Sequence, residues 1–179
     1  MRLAVPSSLL TVIDVQERLL AVMPAADIVV SRCTRLARAA TLLGVRTTLT
    51  EQYPRGLGGT PPDLAAALPP AAAKMSFSCC GCAAFEAALG PEIESVLLAG
   101  LETHVCVAQT ALDLLARGLA VFVAVDAVGA RHGIDHETAL RRLEAAGAIL
   151  TTTEAAIFEW CGTAEHPRFQ DVRRLVLSG

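Results

Sequence analysis

The sequence predicts an α/β fold: a mostly parallel central sheet of about six strands with helices on both faces. Three observations point to it. Short apolar, β-branched runs recur along the chain, amphipathic stretches of helical period separate them, and charged or turn-forming residues close each run. Apolar runs without alternation mark strands covered on both faces, and strand–helix alternation implies right-handed crossovers that lay the strands parallel.

Leu9 to Ile13 is the first such run and ends at Asp14. A helix follows from near Pro24, which suits a first-turn position, through Val29, Leu36 and Leu43 to Gly44, a C-terminal cap. Val45 to Thr50 reads as the second strand. Gln52 to Pro62 is rich in Gly and Pro and reads as a loop, of the long kind that lines sites. A short strand around Ala72 to Met75 precedes a helix from about Ala83 to Leu89. Val96 to Ala99 is a buried strand, Gly100 a turn, and Val107 to Arg117 a helix with Gln109, Asp113 and Arg117 on its polar face. Ala120 to Val125 is the clearest strand and ends at Asp126. Thr138 to Ala146 is helical, Ile149 to Thr152 is a last strand, and Glu154 to Trp160 and Phe169 to Leu177 are terminal helices. With no repeat or linker, residues 1–179 read as one domain, a three-layer Rossmann-like sandwich.

Composition narrows the function. Net charge is −3 with no run of Lys or Arg, which disfavours nucleic acid and anionic membranes as partners. No apolar run approaches the roughly 20 residues of a membrane span. Six cysteines without an extracellular signal suggest reduced thiols in the cytoplasm. A hydrophobic fraction of 53% with few aromatics suggests apolar surface covered by further copies, hence a homo-oligomer.

In such a sheet, ligands bind at the carboxyl ends of the strands. Asp14, Glu51, Lys74, the Gly100 to Cys106 turn and Asp126 all fall there, although they are far apart in the chain. Cys106 begins a helix, where unpaired N–H groups and the positive dipole end favour an anion. A thiolate is the nucleophilic form of cysteine. Lys74 and the helix end are expected to outweigh the opposing Asp14 carboxylate, which places the Cys106 pKa below the free value of about 8.5 and makes Cys106 more reactive than the other five thiols. Cys79-Cys80-Gly81-Cys82 offers the spacing of half a zinc or redox site. A structural zinc needs four ligands and no second pair follows at finger spacing, so the reading is packing thiols and no metal.

Three segments carry a family resemblance. Gly100-Leu-Glu-Thr-His-Val-Cys106-Val resembles the nucleophile motif of the isochorismatase-like cysteine hydrolases: Gly, two residues, Thr, two residues, Cys, Val. Thr11-Val-Ile-Asp14-Val-Gln16 resembles their first strand, and Ala73-Lys74-Met-Ser-Phe77-Ser their lysine segment. The similarity runs from about Leu9 to about Phe158. Thr50-Glu-Gln-Tyr-Pro-Arg-Gly-Leu and Leu150-Thr-Thr-Thr-Glu-Ala-Ala-Ile-Phe158 resemble the subgroup called isochorismatase domain-containing proteins.

The resemblance implies a triad of Asp14, Lys74 and Cys106, with Asp14 as base. It also implies an oxyanion hole of the Glu102 and Cys106 backbone N–H groups, presented by a cis peptide between Leu101 and Glu102. Gln16, Tyr53, Phe77, Leu101 and His104 are the expected substrate-binding residues. Relatives with nicotinamidase activity hold a divalent metal through Asp and His after the second strand. Here that loop reads Glu51-Gln52-Tyr53-Pro54 and no histidine precedes His104, so no metal or other cofactor is expected. A retained cysteine favours a small-molecule carbon–nitrogen bond, amide or ureido, over a vinyl ether. The alternatives are a silent binding protein on the same fold and an isochorismate-type hydrolase.

Overall fold

The computed structural model describes residues 1–177. Its element order is β1 (Ser8–Ile13), α1 (Glu17–Leu20), α2 (Ala26–Leu43), β2 (Arg46–Gln52), α3 (Pro54–Leu57), α4 (Pro62–Ala65), β3 (Ala72–Lys74), α5 (Ala83–Ala88), β4 (Ser95–Leu101), a π turn (Thr103–Val107), α6 (Ala108–Ala116), β5 (Ala120–Gly129), α7 (Gly133–Ala145), β6 (Ile149–Thr151), α8 (Thr153–Cys161) and α9 (Phe169–Leu177). The strands form one sheet in the order β3-β2-β1-β4-β5-β6, and every pair is parallel. The predicted α/β architecture is thus the observed one.

Period-two alternation along the central strands separates two cores. Leu10, Val12, Leu97 and Ala99 face α2, α8 and α9, while Leu9, Ile13, Val96 and Leu98 face α5, α6 and α7. The sheet order reverses between β1 and β4. Both strands continue into irregular backbone there, which opens a crevice at their carboxyl ends.

Gly100 is the main local departure from expectation. It lies inside β4, paired with Ile13 of β1, and not in a turn. Its φ of +111° and an ideal Cβ that would lie 2.1 Å from the Ile13 carbonyl oxygen explain the residue choice. The close approach sits one residue before Asp14 on β1 and draws that residue towards the turn after β4. Register between β4 and β5 shifts between Leu98 and Gly100, which marks the same irregularity from the other side. Other boundaries differ less. The loop after β2 carries the short α3 and α4, and β5 continues past Asp126 because its later residues pair with Gly100 and Leu101.

Replacing Gly100 by Ala should therefore cost more than about 3 kcal/mol, since it adds a backbone clash to a strained dihedral. A urea unfolding curve should show the midpoint falling with the slope unchanged.

Candidate active site

Asp14 follows β1 at φ +50°, a left-handed conformation that turns its carboxylate out of the strand direction. It is fully buried. Its N–H donates to the Thr50 carbonyl at 3.0 Å, and the Thr50 hydroxyl donates to Oδ1 at 2.8 Å. Lys74 reaches its Oδ2 from the edge strand β3, with Nζ 2.6 Å away and both side chains wholly enclosed. The same ammonium donates to Gln52 Oε1 at 2.8 Å, Phe77 O at 2.9 Å and Ser76 O at 3.2 Å. Four oxygens around three N–H groups leave it no freedom to swing.

Cys106 completes the group from the far side of the switch point. Cys106 is only 6% exposed, and its thiol lies close enough to Asp14 and Lys74 for both charges to act on it. The backbone that presents it has non-helical spacing. The Glu102 carbonyl accepts from Val105 N–H at 3.0 Å and Val107 N–H at 3.3 Å, so it passes over the Cys106 N–H that an α-helix would assign to it. The Leu101–Glu102 peptide is cis. The Glu102 carboxylate accepts from the Arg131 backbone and Nε at 3.2 and 3.0 Å, which fixes the turn from β5's end.

The expected low thiol pKa is reversed. Burial first, then the Asp14 carboxylate, push Cys106 up to about 12, while the Lys74 ammonium acts in the lowering direction. A thiolate here would set two anions against one ammonium in a dry site, which outweighs the helix end. The resting group is therefore a neutral thiol beside the Asp14 carboxylate. Nor is Cys106 the most accessible sulfur, for Cys80 is half-buried whereas Cys33, Cys79, Cys82 and Cys161 are buried.

Two expected ligand contacts are also corrected. Gln16 is fully buried and spends its amide on the loop: Nε2 donates to Gln52 O at 3.1 Å and Gly58 O at 2.7 Å, and Oε1 accepts from Gln52 N–H at 2.8 Å. It holds β2 to the following loop and has no donor left for a substrate. Leu101 packs into the core on the α2 side, because the strand alternation carries its side chain away from the crevice. Tyr53 and Phe77 are about half exposed, at 48% and 52%. His104 stands in the π turn, Nε2 3.9 Å from Asp135, with Nδ1 enclosed and unpartnered.

Thr50 and Gln52 were missed. The signal was there: Thr47, Thr48 and Thr50 are polar in a strand expected to be covered on both faces, and Gln52 follows at its carboxyl end, where such sheets bind ligands. Thr110 belongs with them, accepting from Cys79 N–H at 3.0 Å and donating to the Cys106 carbonyl at 2.7 Å. Asp126 serves as a structural acceptor for Thr153 N–H and Oγ1 at 2.7 and 3.0 Å. The loop where metal-dependent relatives place ligands does not suit a metal. Glu51 accepts from Thr60 N–H and Oγ1, each at 2.8 Å, and Gln52 is committed to Lys74 and to Met75 O at 2.9 Å. Among the described residues no three His, Cys, Asp or Glu groups gather to hold an ion, the Cys79 to Cys82 cluster included.

The chain matches the Isochorismatase domain over residues 8–155. Isochorismatase domain-containing protein 2 of Bos taurus is 45% identical over 170 residues, 95% of this chain and 83% of the relative. Among solved structures, MAR1 ribonuclease from Caenorhabditis elegans superposes with a TM-score of 0.95 at 42% identity, covering 99% of this chain and 93% of that one. The YcaC gene product of Escherichia coli, described as an octameric hydrolase of unknown specificity, superposes with a TM-score of 0.85 at 27% identity over 99% of this chain and 96% of that one.

Alkylation of the native protein near neutral pH should label Cys80 before Cys106, and the Cys106 rate should climb with each unit of pH through the alkaline range. Asp14→Asn removes the opposing charge and should speed Cys106 labelling about tenfold or more, one pKa unit being a factor of ten below the pKa. Lys74→Met should slow it. Peptide mapping by mass spectrometry reads all three.

Proposed function

The chain belongs to the isochorismatase family, and on that premise we propose that it is a cysteine hydrolase of a small-molecule carbon–nitrogen bond, amide or ureido. The observation that carries the reading is the enclosed Asp14–Lys74 pair at the sheet's switch point, with the Cys106 thiol within reach of both charges. Family membership and the YcaC neighbour support a hydrolase.

The raised thiol pKa supports one order of events. Attack by Cys106 Sγ on the substrate carbonyl carbon requires its proton to pass to Asp14 as the carbon–sulfur bond forms. The developing oxyanion would accept from the backbone N–H groups of Cys106 and Glu102. Collapse breaks the carbon–nitrogen bond, and protonated Asp14 returns its proton to the leaving nitrogen. Water then attacks the thioester, Asp14 takes its proton, and breaking the carbon–sulfur bond releases the acid and restores the thiol. Lys74 holds the carboxylate in place throughout. Phe77 and Tyr53, whose backbones bond Lys74, and His104, two residues before Cys106, are assigned to substrate contact.

The activity named for the nematode neighbour supplies a second reading, cleavage of an RNA phosphodiester. Net charge of −3 and a site with one enclosed cation favour the small neutral substrate. The octameric state described for YcaC supports assembly of this chain into a homo-oligomer, and its free cysteines suit a reducing compartment such as the cytoplasm. Among the described residues no helix is long and apolar enough to cross a membrane.

A panel of small amides, ureido compounds, isochorismate and short RNAs should yield turnover of an amide or ureido compound. Cys106→Ala and Asp14→Asn should each reduce it by about 10³-fold or more. Turnover of isochorismate that survives Cys106→Ala would assign vinyl ether hydrolysis instead, and turnover of none would favour a binding protein. A chelator added to the same assay should leave the rate unchanged, because Glu51 and Gln52 are engaged by Thr60, Lys74 and Met75.

A further inference from the structure

A cleft of about 490 Å³ lies between α1, α2, the start of α4 and α9, and shares no residue with the candidate active site. Arg35 of α2 lines it. Only 7% exposed, Arg35 is the one buried arginine among the described residues, and it makes no hydrogen bond or ion pair there. The contrast with other arginines is informative: Arg32, Arg46, Arg117 and Arg131 are 33–50% exposed at their side chains, yet each is paired with a carboxylate. A guanidinium cannot shed its charge by losing a proton, so one on a largely buried side chain, with no carboxylate partner and its nitrogens open to a cleft, favours an anion that reaches it there.

The neighbouring positions extend that demand. Arg38 stands one turn along the same helix face and also lines the cleft, as does Ser31 one turn the other way. The exposed Asp27 and Asp63 border the cleft and pair with neither guanidinium. Asp27 is two turns from Arg35, about 12 Å along the helix. The volume is that of a small-molecule site.

We propose that this cleft binds a small organic oxyanion, a carboxylate or a phosphate monoester, seated on the planar fork of Arg35 with Arg38 as the second cation. Asp27 and Asp63 at the margin oppose polyanions and acidic protein surfaces, and suit a ligand whose far end is neutral or cationic.

Thermal unfolding of the intact protein at constant ionic strength tests this, with chloride replaced by inorganic phosphate in one arm and acetate in the other. Either anion at several times its Kd should raise Tm by about 2–4 °C, and the arm that responds identifies the oxyanion class. Arg35→Met keeps the length and apolar stem. It should abolish the shift and, in chloride alone, unfold at or above the wild-type Tm. Arg38→Gln lies on the exposed rim and should at least halve the shift without disturbing the core. No shift with either anion, an equal shift in Arg35→Met, or an unchanged one in Arg38→Gln would overturn the proposal. So would loss of the oligomer in Arg35→Met by light scattering, which would assign the cleft to a subunit contact.

Discussion

The buried pair of Lys74 and Asp14 is the interaction on which the rest of the site depends. It spans three strands, since β3 reaches β1 only across β2, and strands are spaced about 4.8 Å apart. Two enclosed charges survive folding only when their remaining hydrogen-bonding capacity is met. Thr50 meets it for the carboxylate, and Gln52 with the Ser76 and Phe77 carbonyls meets it for the ammonium. This accounts for the polar side chains on β2 and for the irregular chain after β3, whose backbone is bent round to supply acceptors.

From that pair follows the character of the cysteine. A thiol set beside a carboxylate already satisfied by an ammonium gains nothing by ionising at rest, and burial raises the cost further. The pair therefore forms a poised base beside a protonated nucleophile and leaves no thiolate standing ready. On the proposed mechanism such a site reacts only when a bound carbonyl gives the sulfur somewhere to go, and the resting thiol is spared adventitious electrophiles. In the proposed mechanism the same reasoning gives Asp14 the task of coupling attack to proton transfer, with Lys74 positioning it.

Much of this was legible in the sequence, for identifiable reasons. Strand–helix alternation fixes the sheet, and each strand's terminal residue falls where a parallel sheet must place it. Asp14, Lys74 and the Cys106 turn were therefore locatable before their contacts were known. What escaped depends on three-dimensional pairing. Gly100 reads as a turn because glycine commonly makes one; only the approach of Ile13 shows that it is needed within β4. Gln16 follows the first strand motif and so resembles a ligand contact, yet the return of Gln52 and Gly58 consumes its amide. The Cys106 pKa was misjudged because the helix end, the lysine and the opposing Asp14 carboxylate can be weighed from the chain, whereas desolvation, the largest cause, arises only on folding.

The central claim is that Cys106 rests as a neutral thiol beside the Asp14 carboxylate. Infrared absorption in the S–H stretching region, recorded at neutral pH as wild type minus Cys106→Ser, isolates that one group. The account predicts a positive S–H band, shifted by hydrogen bonding to the carboxylate and altered in Asp14→Asn. A difference spectrum with no S–H band would mean a resting thiolate and would contradict it.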